Sequence, residues 1–147
     1  MSDTQDDDLI DKIASPENIG RIIHDLGEKD VHIFVPALRS IGNILTSNDA
    51  KVIERCLWEG CLDKLTNLLY SSNSSIIKET CWALSNITAG PPHHIKKFIE
   101  STALDRIINL IHSTNIDNRK EALWVICNAV TGADFDSRKE ILLKNGS

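Results

Sequence analysis

The chain has 147 residues, 41% hydrophobic and 25% charged, and a formal net charge of −5 at pH 7. This composition is typical of a globular domain with a sizeable core, and the acidic balance argues against nucleic-acid binding and favours cationic partners. No segment approaches the roughly 18 consecutive apolar residues of a membrane span and the start of the chain is acidic, unlike a signal peptide, so we expect a protein of the reducing cytosol or nucleoplasm.

The N-terminal part predicts a tail followed by two amphipathic helices. Residues 1–8 are polar and acidic and predict a disordered tail, and residues 9–14 predict a helical turn or two. Ser15 as a cap and Pro16 at the first helical position predict a helix that stops at Gly27. Asp30 is expected to cap the next helix, whose apolar residues follow the 3.6-residue period to about residue 46. Pro36 falls early in it, where a missing backbone donor costs least.

From residue 48 the predicted helices follow the order short, medium and long, and the order then repeats. Asn73 lies in a break and cap before the first long helix, and Gly90 closes that helix in the position favoured for a left-handed cap. No stretch shows convincing strand alternation. The predicted helices cover 52–60, 62–70 and 76–89, then 91–99, 103–111 and 116–131, and 135–143 begins a further set.

A stretch in the long helix occurs twice. Trp82 and Trp124 are 42 residues apart, Asn86 and Asn128 keep the same offset, and each copy has Lys-Glu before the Trp and Gly after the Asn. A shared period of this size is typical of a solenoid.

A third, altered copy lies earlier in the chain. Placing Asn43 in register with Asn86 gives a spacing of 43 residues. In this copy Arg39 stands in the Trp position and Pro36 stands in the position of Glu79.

The repeated helix offers a surface suited to peptides. Trp82, Asn86 and Glu79 share one helix face because they are three or four residues apart. An Asn amide can pair with the backbone of an extended peptide, an indole ring attracts Lys or Arg, and a carboxylate pairs with the cationic tip. The small residue before each Asn, such as Gly42, leaves room for a ligand backbone. The open alternative is that the Trp residues belong to the solenoid core and the Asn residues only bond neighbouring loops.

These residues resemble a known family. The three-helix unit of about 42 residues looks like the armadillo repeat, and Trp-x-x-x-Asn on the third helix resembles importin-α (karyopherin-α), the adaptor that reads nuclear localisation signals. The resemblance lies in the stretches 36–44, 78–90 and 119–124, which resemble three consecutive repeats in the C-terminal half of that family. There an Arg-bearing repeat precedes two Trp-bearing repeats, and together they form the minor signal-binding groove.

The resemblance implies the fold and the roles of individual residues. The fold is expected to be an all-α, right-handed α-solenoid of armadillo repeats. Trp82 and Trp124 would sandwich Lys or Arg side chains, and Glu121 would pair with the key Arg. The amides that would hold the peptide backbone are those of Asn43, Asn86 and Asn128. The complete set of expected peptide-binding positions is Arg39, Asn43, Thr46, Glu79, Trp82, Ser85, Asn86, Glu121, Trp124 and Asn128.

The expected organisation is one armadillo domain over residues 9–147, with repeats at about 9–47, 48–90 and 91–132 and a partial one at 133–147. The basic N-terminal arm, the major groove and the export-receptor repeats of importin-α have no counterpart in it. The chain is therefore expected to be a fragment or a reduced protein, present in cytoplasm and nucleus. The alternative is an armadillo scaffold that docks a folded partner or itself through its open ends.

The sequence predicts no catalytic, cofactor or metal site. The Ser, His and Asp residues form no nucleophile motif, phosphate loop or carboxylate pair, so we predict no enzyme activity and no cofactor. His93-His94 is set aside as a metal site, because adjacent helical residues point apart and no third ligand is near in sequence. The four cysteines have no CxxC or zinc spacing, and Cys81 and Cys127 are expected to be buried or half-buried thiols.

Overall fold

The computed structural model describes residues 15–146, which form nine α-helices and no strand. The expected tail at 1–8 and the helical turns at 9–14 lie outside the described residues. No helix within 15–146 is long and apolar enough to cross a membrane. The helices are α1 (Pro16–Leu26), α2 (Val31–Ile44), α3 (Ala50–Trp58), α4 (Cys61–Leu68), α5 (Ser74–Thr88), α6 (Pro92–Glu100), α7 (Ala103–Ile111), α8 (Ile116–Gly132) and α9 (Phe135–Gly146).

Short polar side chains fix most of the helix starts. The predicted caps at Ser15, Asp30 and Asn73 are confirmed, and each accepts a hydrogen bond from a backbone N–H of the first turn. Asp49 and Asn115 cap α3 and α8 in the same way. Each cap satisfies a donor that the helix itself cannot pair, which is worth about 1 kcal/mol.

Two predictions about how a proline and a glycine fit the helix ends are wrong. Pro36 is the sixth residue of α2 rather than a residue of its first turn, so it removes one hydrogen bond from the helix interior. Gly90 is not left-handed, because Gly60 alone among the described residues has a positive φ, of 93°. Gly60 is the N-cap of α4, where the chain turns sharply between two short helices and only glycine adopts that φ without strain.

One continuous core runs from α1 to α9. Its fully buried side chains are mainly Ile, Leu and Ala, with Phe98 the largest, and they include Ile19, Leu38, Leu65 and Leu84. This is the expected result of the 3.6-residue pattern, since each helix buries one apolar stripe against its neighbours.

Three of the four cysteines lie in this core. Cys56, Cys61 and Cys81 are buried and free, whereas Cys127 is exposed, so the expectation of a buried or half-buried Cys127 is wrong. Burial raises the pKa of Cys56 and of Cys81 to about 12 and also raises the pKa of Cys61 well above its ordinary value. These three thiols are therefore protonated and unreactive at neutral pH.

The long helices lie side by side. α5 packs on α2 along one side and on α8 along the other. The repeated Trp-x-x-x-Asn stretch and its altered copy therefore lie on three neighbouring helices, which carry the expected peptide-binding residues apart from Thr46, two residues beyond the end of α2.

Candidate functional site

The candidate site is the surface of α2, α5 and α8 that carries the expected peptide-binding residues, and we call this surface the groove. Its members differ in how far they are available to a ligand. Arg39, Asn43, Thr46, Trp82 and Trp124 are exposed, Glu79, Asn86, Glu121 and Asn128 are half-buried, and Ser85 is buried.

Trp82 packs against Gly42 of the neighbouring helix. A Cβ atom on Gly42 would lie 2.8 Å from Cε3 of the indole and closer still to Cζ3. Only glycine therefore allows the ring to sit where it does. The expectation that Gly42 leaves room for a ligand backbone is wrong, because the indole ring of Trp82 fills that space.

Trp124 stands further out than Trp82. It is 60% exposed, whereas Trp82 is 38% exposed. In the repeat register Ser85 takes the place that Gly42 has in the first copy. Neither indole belongs to the core, so the alternative that the two Trp residues are core residues is wrong.

The Asn side chains are held by the helix next to them. Asn86 donates from Nδ2 to the carbonyl oxygen of Gly42, and Asn128 donates from Nδ2 to that of Ser85, both at 3.3 Å. Within residues 15–146 this leaves the other N–H and the Oδ1 atom of each amide unpaired. The amides are thus oriented by the fold and still have a donor and an acceptor to offer.

We call the part of the groove that each long helix contributes a rung. The first rung, on α2, holds an internal ion pair. The Nε atom of Arg39 on α2 donates to Oε1 of Glu79 on α5 at 3.2 Å. The side chains are 66% and 30% exposed, so the pair contributes no more than about 1 kcal/mol to stability. Its main effect is local, because Arg39 occupies the carboxylate and places a positive charge where the other repeats have an indole.

Glu121 has no ion-pair partner within residues 15–146. It lies on α8 close enough to Cys81 of α5 to raise the pKa of that thiol, second to the effect of burial. Glu121 is also three residues before Trp124 on α8, which places both residues on one face of that helix.

Ser85 and Thr46 are weaker candidates. The Ser85 hydroxyl donates to the carbonyl oxygen of Trp82 at 2.6 Å, and only 4% of the residue is exposed. Thr46 is exposed, but its hydroxyl donates to the carbonyl oxygen of Asn43. The Ser85 hydroxyl is therefore used within α5, and the Thr46 hydroxyl is used by the last turn of α2.

Sequence reasoning missed a group of residues outside the groove. Glu54 of α3 lies beside His93 and His94 of α6, and the three are placed so that they could hold a metal ion. The third ligand that sequence proximity did not supply comes from the preceding repeat. A search at an offset of about one repeat from the His pair, 39 residues to Glu54, would have found it.

Comparisons with known proteins agree on the repeat. Residues 59–89 match the armadillo/beta-catenin-like repeat family. Importin subunit alpha-1a of Oryza sativa subsp. japonica is 36% identical over 98 residues, which are 62% of this chain and 18% of that protein. Importin subunit alpha-3 of Arabidopsis thaliana is 36% identical over 83 residues, 56% of this chain and 15% of that protein.

A solved structure extends the likeness to nearly the whole chain. A designed armadillo repeat protein in complex with the peptide (KR)4 superposes with a TM-score of 0.85 at 25% identity, covering 94% of this chain and 57% of that one. The chain is an armadillo-repeat solenoid similar to importin α. The all-α armadillo fold and the resemblance predicted from the Trp-x-x-x-Asn stretches are thus confirmed, over a chain that covers less than a fifth of these two relatives' length.

The contact between Trp82 and Gly42 is testable by fluorescence. In a background where Trp58 and Trp124 are replaced by Phe, Gly42→Ala should push the Trp82 indole outward, because the new Cβ overlaps its ring. We expect Trp82 emission at longer wavelength, stronger quenching by iodide, and a free energy of unfolding lower by about 1–3 kcal/mol.

Gly20→Ala is the matched control for this change. Its Cβ would come no nearer than 3.9 Å to any other group, Oε2 of Glu59, so Trp82 emission should not move. An unchanged Trp82 signal in the Gly42→Ala protein would show that the indole does not rest on Gly42.

Proposed function

We propose that the chain acts as an importin-α-like adaptor, or as part of one, whose groove binds a basic linear segment such as a nuclear localisation signal. One observation carries the proposal. Two exposed indoles stand on neighbouring helices, and Glu121, three residues before Trp124 on α8, has no ion pair within the described residues. This combination of a flat aromatic face and a single negative charge suits Lys or Arg better than any other side chain.

The cationic side chain lies between Trp82 and Trp124. Each indole face attracts a cation by about 0.5–2 kcal/mol, depending on how far water is excluded. Glu121 pairs with the ammonium or guanidinium tip, and a guanidinium can pair with both carboxylate oxygens at once. The net charge of −5 adds a long-range attraction for basic segments.

The peptide backbone runs across Asn86 and Asn128. Each amide presents its remaining N–H and its Oδ1 atom, which match the C=O and N–H of one residue of an extended peptide. Packed helices are about 8–10 Å apart and an extended chain rises about 3.3–3.6 Å per residue. Successive amides therefore hold roughly every third residue, and Asn43 would extend the contact to a segment of about six residues.

Arg39 limits the groove at its first rung. A peptide Lys or Arg at that rung would meet the guanidinium of Arg39 rather than an indole, and Glu79 already pairs with Arg39. The groove is thus selective for a basic side chain at the rungs of α5 and α8 and tolerates a neutral one at α2.

Transport is the cellular role that this binding supports. The curated relatives are named importin subunits alpha, and a designed relative of the same fold is complexed with a peptide of alternating Lys and Arg. On this proposal the chain meets cargo in the cytoplasm and works between cytoplasm and nucleus. The groove has no part in chemical catalysis.

Self-association is a second candidate, favoured by the apolar surface of α9. Phe135, Leu142 and Leu143 are 78%, 65% and 64% exposed, and an exposed apolar cluster of this kind marks a docking surface. A second copy of the chain could cover it.

Peptide titration tests the groove. A peptide rich in Lys and Arg should bind the parent protein with an affinity that falls as salt is added. Trp82→Ala and Trp124→Ala should each weaken binding by about 2- to 30-fold, the equivalent of one cation-π contact, and Glu121→Gln should weaken it and reduce its salt dependence. Isothermal calorimetry measures all three.

Trp58→Ala is the matched control for these substitutions. Trp58 is 78% exposed but lies on α3, outside the groove, so its replacement should leave peptide affinity unchanged. Equal affinities for the parent, Trp82→Ala and Trp124→Ala proteins would contradict the proposal. A peptide in which Lys and Arg are replaced by Gln, if it bound the parent protein as tightly as the basic peptide, would contradict it too.

Replacing Arg39 tests the limit on groove length. Arg39→Gln frees Glu79 and removes the positive charge at the first rung. Affinity should rise by about 2- to 5-fold for a peptide that places a Lys opposite α2, and should not rise for the same peptide with Ala there. A gain for neither peptide, or for both alike, would contradict the role given to Arg39.

Sedimentation velocity tests self-association. If α9 docks a second copy, the parent protein should become dimeric as its concentration is raised, and Leu142→Glu with Leu143→Glu should keep it monomeric. A parent protein that stays monomeric throughout the series would exclude this candidate without affecting the peptide proposal.

A further inference from the structure

Two histidines and a glutamate meet outside the groove. Glu54 lies on α3, and His93 and His94 lie in the first turn of α6, so the group joins the first helices of two consecutive helix triplets. One ligand atom from each residue lies within 4.8 Å of the others. We propose that these three side chains form a binding site for a divalent transition metal ion of the zinc class.

The distances suit a tetrahedral ion. Two ligands that each bind zinc at about 2.0–2.1 Å stand about 3.4 Å apart, and Oε1 of Glu54 is 3.4 Å from Nε2 of His94. Nε2 of His93 is 2.6 Å from the same oxygen, at hydrogen-bond distance. It must move by about 1 Å to bind the ion, and it can do so because the side chains of His93 and Glu54 are 62% and 48% exposed.

His94 provides a second, independent observation. The residue is 0% exposed, and neither of its ring nitrogens has a hydrogen-bond partner within the part of the chain that the structure describes. A buried polar group without a partner costs about 1–3 kcal/mol. A metal ion bound at Nε2 supplies the missing partner, and the approach of Glu54 shows which side of the ring it would take.

The protonation states of His94 and Glu54 favour metal binding. Burial lowers the pKa of His94, against the opposing effect of Glu54, so the imidazole is neutral at pH 7 and can act as a ligand. The hydrogen bond from His93 lowers the pKa of Glu54, and the nearby His94 imidazole acts in the same direction, so the carboxylate is ionised. Neutral imidazole and ionised carboxylate are the forms that bind metal.

A cavity of about 300 Å³ opens beside the three ligands, lined by Leu57, Trp58 and Lys97 as well. It leaves room for a water molecule or an incoming side chain as a fourth ligand, as in zinc sites with three protein ligands. Lys97 opposes a cation by its charge, but it is exposed and its long side chain can turn its ammonium into solvent.

The ion would stiffen the solenoid. α3 belongs to the helix triplet that ends in α5, and α6 to the triplet that ends in α8. A metal that bridges them ties together the two units that carry Trp82 and Trp124. None of its ligands lies in the groove, so metal binding can be tested independently of peptide binding.

Metal titration of the full chain tests the site. The Cys127→Ser protein removes the exposed thiol, and chelator treatment removes bound metal before ZnCl₂ or CoCl₂ is added. We expect one ion per chain, a visible absorption band of tetrahedral Co²⁺, and a higher melting temperature with Zn²⁺. His93→Ala and Glu54→Gln should each weaken binding by more than about tenfold and abolish the melting shift.

The variants are chosen so that folding does not confuse the result. His93 and Glu54 are exposed, so their replacement spares the core, whereas His94→Ala, at a buried position, serves only as confirmation. His24→Ala is the matched control, because His24 also lies within 4.0 Å of two carboxylates, those of Asp25 and Glu28, but is the only imidazole in that group. It should bind Zn²⁺ like the parent.

Two outcomes overturn the proposal. Unchanged Zn²⁺ affinity in both His93→Ala and Glu54→Gln would show that the ion binds elsewhere, and an equal loss in His24→Ala would show adventitious surface binding. Peptide titration of the same variants should match the parent, so failure here is distinct from failure of the proposed groove.

Discussion

The contact of Trp82 with Gly42 is the constraint on which the groove depends. It brings α5 so close to α2 that no side chain fits between the indole and the helix, and the same approach lets Asn86 reach the carbonyl oxygen of Gly42. One close approach therefore sets both the aromatic face and the amide of the central helix. On the α8 side Asn128 repeats the amide contact with Ser85, while Trp124 stands freer in solvent. The packed indole of Trp82 and the two oriented amides reduce the ordering cost that a peptide would meet on binding.

Charge makes the α2 side of the groove different from the α8 side. Glu79 and Glu121 occupy equivalent positions, yet Glu79 is paired with Arg39 whereas Glu121 has no ion pair within the described residues. The difference arises from one substitution in the solenoid, Arg for Trp in the first copy. The same change removes an aromatic face and adds a cation that occupies a carboxylate. On the proposed function, a basic ligand would meet attraction at α5 and α8 and repulsion at α2, which is a form of specificity through an unfavourable contact.

The helices and the repeat could be predicted from periodicity, because apolar spacing and the 42-residue offset between Trp82 and Trp124 are properties of the sequence itself. The ion pair of Arg39 with Glu79 and the group of Glu54, His93 and His94 could not, since each joins residues of different repeats. The paired residues are 40 and 39 residues apart in the sequence. This is close to the length of one repeat, so aligning the repeats would have placed the partners at neighbouring positions. Gly42 was misjudged for a related reason: only the packed structure reveals that a side chain of this protein, rather than a ligand, fills the space above it.

The most direct test of the groove follows the indole N–H signals in a ¹H–¹⁵N correlation spectrum while a Lys/Arg-rich peptide is added. The sequence contains three Trp residues, which should give three signals assignable by single Trp→Phe replacements. The account predicts that the signals of Trp82 and Trp124 shift together and saturate at one peptide per chain, while that of Trp58 on α3 stays in place. Shifts confined to Trp58, or no indole shift when binding is saturated, would contradict it.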